Sequence, residues 1–375
     1  MTLTDTEKIS CLRLIMSENI GPATFNDLVR YYGSAHVAIE HIDELARRGG
    51  RKKPIILASA KAAERQIHLA CQHEAHLIFK NEKQYPVLLR QTPDAPPVLF
   101  ARGNLAVLEK VAVSIVGTRN ASGNGKALAR KFATDLAKAD YNIVSGMAHG
   151  IDRAAHVGAL SVADKYPTTT AVLGTPIDEI YPKENQDIYE QIAENGCLLS
   201  EFPFESPLSP RNFPRRNRII AGLSAGTLVI EAQEKSGSLI TANEALSYGR
   251  EVMAVPGSPV DPRSAGPNAL IRDGATLVSQ AEDIINALGA LTTFALRDHK
   301  ETQTYQPVPF DENILNDARA LLMSNLGPDV IGVDDLIRET GLDARMVNII
   351  LVELAIAGRL ERHPGNRVSL MYNME

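Results

Sequence analysis

Short apolar runs alternate with amphipathic, helix-like segments through the middle of this chain. Seven of the runs have the length of buried strands, and the segments between them carry apolar residues at intervals of three and four. The runs are Val111–Val116, Asn142–Val144, Thr169–Leu173, Leu198–Ser200, Thr227–Ile230, Val252–Val255 and Thr276–Val278. Strands and helices in alternation predict an α/β domain built on a largely parallel sheet.

The N-terminal part has a helical pattern instead. Asp5–Met16 is periodic, and Asn19–Pro22 is a tight connection whose proline opens a second helix. The pattern is similar to a helix-hairpin-helix or sterile-alpha-motif (SAM)-like unit. Asn19 stands where such a hairpin usually has its first glycine, but asparagine tolerates the left-handed conformation. We therefore expect the hairpin to form, and leave open whether it contacts DNA.

The C-terminal part predicts a winged helix. Three helices are expected at Ile314–Met323, Val333–Glu339 and Ala344–Ala357. A pair of strands is expected at Arg359–His363 and Arg367–Leu370, joined by a turn at Pro364–Asn366. The third helix, the presumed recognition helix, has Arg345 but also Asp343 and Glu353.

A chain of 375 residues is too long for one core. The patterns predict a helical domain at 1–82, an α/β domain at 83–290, a linker rich in Thr, Gln and Pro at 291–308, and a winged-helix domain at 309–375.

Small residues rich in hydrogen-bond donors follow most of the predicted strands. These turns are Gly117–Gly125, Ser145–Asp152, Gly174–Lys183, Ser236–Ser238 and Pro256–Ser258. Open α/β sheets bind ligands at the carboxyl ends of their strands, where backbone N–H groups suit phosphate. Five such turns on one sheet predict a phosphate or nucleotide surface.

The familiar nucleotide motifs are incomplete. Gly123-Asn-Gly125 lacks the third glycine of a dinucleotide fingerprint. Gly125-Lys126 lacks the upstream glycine and the following Ser or Thr of a P-loop. We therefore expect neither NAD nor ATP as a cofactor.

An arginine-rich segment precedes the fifth predicted strand, with four arginines between Arg211 and Arg218. Guanidinium groups present a planar fork of donors to phosphate. Aromatic residues that could stack on bases are interleaved nearby. Packing explains each aromatic residue equally well, and some arginines could instead fix loops through Glu201 or Glu231. The aromatic residues are Tyr181, Phe202, Phe204 and Phe213.

Charge is distributed unevenly. The formal net charge is −6, and residues 309–375 have six arginines, no lysine and eleven acidic residues, a net charge of −5. The body of the chain is thus nearly neutral, with a local basic patch. Because phosphate repels an acidic domain, we expect the winged helix to contact protein or to regulate, rather than to read duplex DNA.

Cysteine usage and hydropathy indicate a cytoplasmic protein. The three cysteines have no metal-ligand spacing, which is typical of a reducing compartment. No apolar run is long enough to span a bilayer, and the N-terminal residues lack the pattern of a signal peptide. We expect no metal ion and no membrane contact.

The turns and the arginine-rich segment together resemble the DNA-processing protein A family (DprA, also called Smf). The similar segments cover essentially the whole α/β domain in order: Ile115–Arg119, Ser145–Asp152, Ala155–His156, Gly158–Leu160, Ile180–Pro182, Ser200–Pro203, Phe213–Gly222, Ser236–Thr241, Gly249–Glu251, Val255–Gly257, Leu270–Ile271 and Gly274–Ala275.

The resemblance implies an extended Rossmann-like domain that binds single-stranded DNA without sequence preference and forms a homodimer. It also implies a non-enzymatic role in protecting incoming DNA and loading the RecA recombinase during natural transformation. Arg119 and Lys183 look like the family's principal DNA-contacting cations. His149 stands where we expect relatives to have Lys or Arg.

We expect DNA contacts from both the turns and the arginine-rich segment. The candidates are Gly117, Thr118, Arg119, Ser122, Ser145, Gly146, His149, Gly150, Lys183, Phe213, Arg215, Arg216, Asn217, Arg218, Ser236, Gly237, Ser238 and Thr241.

Two other functions remain open. The first is a Rossmann-like nucleotide hydrolase of the phosphoribohydrolase type with Glu231 as acid or base, although we expect Glu231 to orient Arg218 or Ser238. The second is a winged-helix transcription regulator.

Ser145, His149 and Asp152 supply the residue types of a hydrolytic triad, but residues of a single turn rarely converge in space. Asp152 and His156 have the i,i+4 spacing of two metal ligands, yet no further ligand is evident. We expect Asp152 to cap a helix and His156 to be packed.

Overall fold

The structure is a computed structural model that describes residues 3–295, 312–363 and 365–371. These residues divide into two units. The sheet unit comprises Ile67–Thr92 and the chain from Val98 to the end of the helix that finishes at Ala295. The helical unit comprises the residues before Ile67, Pro93–Pro97 and the described residues from Glu312 onward.

The N-terminal residues form helices, as the periodicity predicts. Thr4 and Ser34 cap two of them by accepting a backbone N–H each, and Pro22 is the first residue of another. Asn19 has φ 60° and so adopts the left-handed conformation expected of it. The helices are α1 Asp5–Ile15, α2 Pro22–Tyr32, α3 Ala35–Arg48 and α4 Ala60–Gln72.

A nine-stranded sheet forms the centre of the sheet unit. The predicted strands are all present, with bounds within two residues of those expected. The strands are β1 Ala75–Phe79, β2 Val98–Gly103, β3 Ala112–Gly117, β4 Asn142–Ser145, β5 Thr169–Val172, β6 Cys197–Ser200, β7 Gly226–Ile230, β8 Glu251–Ala254 and β9 Thr276–Leu277.

The strand order is β1-β2-β6-β5-β4-β3-β7-β8-β9. From β6 to β9 every pair is parallel, whereas β2 is antiparallel to both β1 and β6. Sequence reasoning missed β1 and β2, and β1 lies before residue 83, where the α/β domain was expected to start. The winding reverses between β3 and β7, which makes their carboxyl ends the switch point of a Rossmann-like sheet.

Helices cover both faces of the sheet. Apolar residues of α9 and α10 pack on one face, and those of α6, α7 and α12 pack on the other. The helices of this unit are α5 Val87–Arg90, α6 Gly123–Lys138, α7 Ile151–Leu160, α8 Gln186–Asn195, α9 Asn212–Leu223, α10 Gly237–Ser247, α11 Ala265–Arg272 and α12 Ala281–Ala295. The expected α/β class is confirmed.

The C-terminal residues form the predicted winged helix. Its elements are α13 Glu312–Asn325, β10 Ile331–Gly332, α14 Val333–Thr340, α15 Ala344–Ile356, β11 Leu360–His363 and β12 Arg367–Leu370. The strands pair in the order β10-β12-β11. Of the linker expected at 291–308, the first five residues belong to α12, and the remainder lies outside the described residues.

Candidate nucleic-acid interface

Exposed cations and aromatic rings meet at the carboxyl edge of the sheet. Arg119 follows β3, His149 follows β4 and Lys183 follows β5, and all three side chains are exposed. The Arg119 guanidinium lies 6.0 Å from the centre of the Phe213 ring, and that ring is 5.0 Å from the ring of Tyr181. We call these five residues the carboxyl-edge cluster.

Two glycines let the turns of the cluster approach one another. Gly150 has φ 78°, and a Cβ there would lie 2.6 Å from the carbonyl oxygen of Arg119. A Cβ at Gly174 would lie 2.6 Å from the Phe213 ring. Any larger residue at either position would therefore push the turns apart.

Lys183 is positioned by the residues that follow it. Asn185 donates its amide to the carbonyl of Met147 at 2.7 Å, which ties this segment to the turn after β4. Arg153 holds Asp187 through two hydrogen bonds of 2.9 and 2.7 Å. Glu184 lies 3.8 Å from His149, so a carboxylate lies among the exposed basic side chains.

Arg216 lies beneath these turns rather than on the surface. It is 4% exposed and donates to the carbonyls of Gly146, at 2.6 Å, and Val172. Asp152 accepts from the backbone N–H groups of Gly146 and Ala148 at 3.2 and 3.4 Å. Burial lowers the pKa of Arg216 to about 10 and raises the pKa of Asp152. Arg216 therefore supports the turn after β4.

The arginine-rich segment is divided between surface and interior. Arg218 is 7% exposed and forms a buried ion pair with Glu201, as the alternative for this segment predicted. Arg215 is half-exposed, 3.4 Å from the same carboxylate and 5.8 Å from the Phe202 ring centre. Arg211 is exposed. The expected direct contacts of Arg216 and Arg218 need revision, because both guanidiniums are already used inside the protein.

The carboxylate of Glu231 lies at the switch point, beside the carboxyl ends of β3 and β7. Its carboxylate accepts the backbone N–H of Ser122 at 2.8 Å and also the Ser122 hydroxyl. A Cβ at Gly125 would lie 2.5 Å from this carboxyl group. The carboxylate thus occupies the N-terminus of α6, where a Rossmann-like sheet would place a phosphate. The expectation that Glu231 orients Arg218 or Ser238 is wrong, and the donors of Ser122 are not open to DNA.

Several other predicted contacts are also structural. Ser145 is buried and donates its hydroxyl to the carbonyl of Ile115 at 2.7 Å. Thr118 donates its N–H to the carbonyl of Glu231 at 2.7 Å. At Gly117 a Cβ would lie 2.5 Å from the Ile151 side chain, so this glycine serves close packing. Gly146 and Gly150 are buried as well.

The turn before α10 lies beside α9. Ser236 caps α10 by accepting the N–H of Ser238 at 3.4 Å, and the two hydroxyls are 2.8 Å apart. Asn217 donates to the carbonyl of Gly237 at 3.2 Å. Gly237 is exposed, whereas Ser238 and Thr241 are buried. This turn therefore offers Gly237 and the partly exposed Ser236 to a ligand.

His156 makes stability sensitive to acid. Its Nδ1 lies 2.9 Å from the Thr169 hydroxyl, and its Nε2 has no hydrogen-bond partner among the residues that the structure describes. Burial lowers the pKa of His156 from 6.5 to about 3. Below pH 6.5 the unfolded chain therefore binds a proton at this imidazole that the folded chain does not bind. The free energy of unfolding is highest above pH 6.5 and falls as the pH is lowered towards 3. The raised pKa of Asp152 acts with the opposite sign from pH 3.8 upward, because in that range the folded chain keeps a proton that the unfolded chain has lost.

We expect His156 to lower the stability of the protein by about 2 kcal/mol between pH 7 and pH 5, at about 1.4 kcal/mol per pH unit below 6.5. Urea unfolding at the two pH values measures this. The His156→Gln variant should lose much less, since glutamine does not titrate. An equal loss in both proteins would assign the acid sensitivity to other groups.

Within the described ranges, no helix is long and apolar enough to cross a membrane, and no group of three His, Cys, Asp or Glu residues could hold a metal ion.

The chain combines a Rossmann-like sheet unit with N-terminal helices and a winged helix. Three sequence profiles match the chain: a DprA-like N-terminal HHH domain at residues 5–68, DNA recombination-mediator protein A at 76–289, and a DprA winged helix domain at 306–366. The chain belongs to the DprA/Smf family.

Relatives agree with the profiles. Protein Smf of Escherichia coli is 39% identical over 306 residues, which are 80% of this chain and 78% of Smf. DNA processing protein DprA of Bacillus subtilis is 43% identical over 209 residues, 56% of this chain and 69% of that protein.

Two solved structures are similar over much of their length. The X-ray structure of DprA from Streptococcus pneumoniae has a TM-score of 0.62 at 33% identity, covering 76% of this chain and 98% of that one. A structure of DNA processing protein A from Helicobacter pylori, described for its single-stranded DNA binding mode, has a TM-score of 0.51 at 29% identity and covers 58% and 96%.

Proposed function

We propose that this protein binds single-stranded DNA without sequence preference through the carboxyl-edge cluster. One observation carries the proposal: the Arg119 guanidinium lies over the Phe213 ring, and that ring contacts the tilted ring of Tyr181, at an exposed edge that also presents Lys183. Proteins that follow a single strand combine cations for the backbone with rings on which bases stack. Both kinds of group are present here.

The residues divide into three roles under this proposal. Arg119 and Lys183 bind phosphate groups, and Tyr181, which is 41% exposed, offers a base the more accessible ring. His149, Arg215 and the turn at Gly237 extend the contact to either side. The buried Arg216, Arg218, Ser145, Ser238 and Thr241 and the partly buried Ser122 hold the turns in place.

We further propose that the protein is a recombination mediator and not an enzyme. It would act as a homodimer in the cytoplasm, protect incoming single strands and help load RecA during natural transformation. Membership of the DprA/Smf family supports this, as do relatives named DNA processing protein. Binding and hand-over of a strand require no bond to be broken.

The two alternative functions fit the structure less well. In a nucleotide hydrolase Glu231 would act on the substrate as acid or base, but here its carboxylate is bound to Ser122 at the N-terminus of α6. A winged-helix regulator would present α15 to the major groove, yet residues 349–356 of this helix are buried.

A salt-resolved titration tests the proposed function. We expect a labelled oligothymidylate to bind at least about tenfold more tightly than a duplex of the same length, because rings can stack on unpaired bases only. Affinity for strands of different composition should be similar. Binding should weaken steeply with salt, since phosphate contacts release counterions. Equal or tighter binding to the duplex would refute the proposal.

A further inference from the structure

The third helix of the winged helix is mostly apolar, and its C-terminal part is buried on every side. Residues 349–356 of α15 are buried without interruption, including Glu353, which pairs with Arg319 at 2.9 Å. A helix of this kind must be surrounded by protein. Elements α13, α14 and β11 of the winged helix pack on it, and the N-terminal helices α2 and α3 pack on it as well. All of these elements belong to the helical unit.

Polar contacts fix the register between the winged helix and the N-terminal helices. Arg362 on β11 pairs with Asp27 on α2 at 2.8 Å, and both side chains are largely buried. Arg359 donates to the carbonyl of Gly49 at 3.2 Å. Asn19, in the predicted hairpin, donates its side-chain amide to the carbonyl of Ile356 at 3.2 Å. The contact is thus specific as well as apolar.

Gly49 shows how closely the surfaces fit. A Cβ at this position would overlap the carbonyl oxygen of Glu353 and would lie 2.8 Å from the Cβ of Ala357. The backbone of Gly49 has φ −70°, which any residue can adopt, so the turn itself does not need glycine. The close approach of α15 is what excludes a side chain here.

We propose that α15 is a protein-docking helix whose partner is the α2–α3 surface of the same chain. Docked in this way, the winged helix does not place α15 in the groove of duplex DNA. The net charge of −5 over residues 309–375 agrees with a surface built for protein. This proposal is independent of how the sheet unit binds single strands.

Hydrogen exchange of the full-length chain tests the docking. Gly49→Leu places a side chain against the carbonyl of Glu353 and should separate the two surfaces. We expect amides of α15, α2 and α3 to exchange about tenfold faster or more, which corresponds to about 1.4 kcal/mol. The control is Gly21→Leu, where a Cβ meets no heavy atom within 4 Å, and it should leave exchange in α15 unchanged. Unchanged protection of α15 in Gly49→Leu would overturn the proposal.

Charge reversal provides a second test that does not depend on a steric clash. Asp27→Arg and Arg362→Asp should each speed exchange in α15, because like charges then meet across a largely dry contact. The double variant D27R/R362D should recover most of the protection, and failure to recover would count against docking through this pair. Protection that grows with protein concentration would assign the docking to a second copy and contradict docking within one chain.

Arg345, on the exposed N-terminal turn of α15, allows a test of whether this helix contacts duplex DNA. The Arg345→Glu variant should leave duplex binding within about twofold of the parent, since a rim residue not in the groove contributes no phosphate contact. A larger loss would show that α15 reaches DNA despite its burial.

Discussion

Replacing Arg119 and Lys183 together with alanine should weaken single-strand binding about 100-fold at moderate salt while leaving the thermal midpoint nearly unchanged. A hydrogen bond to a charged group contributes about 1.5–3 kcal/mol, so each substitution costs about tenfold or more. Both side chains are exposed at the ends of turns, and Arg119→Ala removes a cation–π interaction with Phe213 at the protein surface. The salt dependence should also flatten, by about 0.7 per phosphate contact in a double-logarithmic plot.

Glu184→Gln provides a control of opposite sign at the same edge. This carboxylate lies 3.8 Å from His149 and is adjacent to Lys183, so it repels the strand that the cations attract. Its neutralisation should raise the affinity for single strands at low salt.

An Arg119→Ala/Lys183→Ala variant that binds as tightly as the parent, or that unfolds at a much lower temperature, would remove Arg119 and Lys183 from the proposed site.

Arg215 and Arg216 should behave in opposite ways although they are adjacent in sequence. Arg216→Ala should cost about 3–5 kcal/mol of stability, because it removes the buried positive charge that favours the ionised form of Asp152. Two carbonyl groups are also deprived of a donor. Arg215→Ala should leave the unfolding midpoint nearly unchanged, since half of this side chain is exposed, and should weaken strand binding modestly. Urea unfolding and a binding titration of both variants measure the difference.

A double variant separates charge from shape. The Arg216→Ala variant leaves the buried Asp152 carboxylate without a nearby positive charge. Asp152→Asn removes that carboxylate, so the double variant should be less destabilised than Arg216→Ala alone. If Arg216→Ala is as stable as the parent, the buried arginine is not what supports the turn after β4.

Much of the fold could be predicted because its signals are local. A β-branched run such as Val111–Val116 and a proline such as Pro22 at a helix start are visible in a short window of sequence. The strand β1 was missed because Ala75–Phe79 is a short run directly after a helix, where periodicity does not distinguish a strand from the end of that helix. Its antiparallel pairing with β2 depends on a residue pairing, Ala75 with Arg102, that no local pattern records.

The site was predicted less completely than the fold. Sequence spacing shows that arginines cluster, but it does not show which of them face inward. In α9 the buried positions Arg216 and Arg218 alternate with the more accessible Arg215 and Asn217, and the reason lies in distant partners. Arg218 meets Glu201 and Arg216 meets the carbonyls of Gly146 and Val172, contacts that only the folded sheet creates. The roles of Glu231 and Ser122 depend on the folded sheet in the same way.

The carboxylate of Glu231 bears on whether free nucleotides would compete with a strand at the proposed site. A helix N-terminus that is open to anions would attract the triphosphate of ATP as readily as a DNA backbone. Here that position is already neutralised from within, and the exposed cations are spread along an edge rather than gathered around one phosphate. If a strand binds at the carboxyl-edge cluster, as proposed, its affinity would accumulate over successive nucleotides, and free mononucleotides would compete poorly with it.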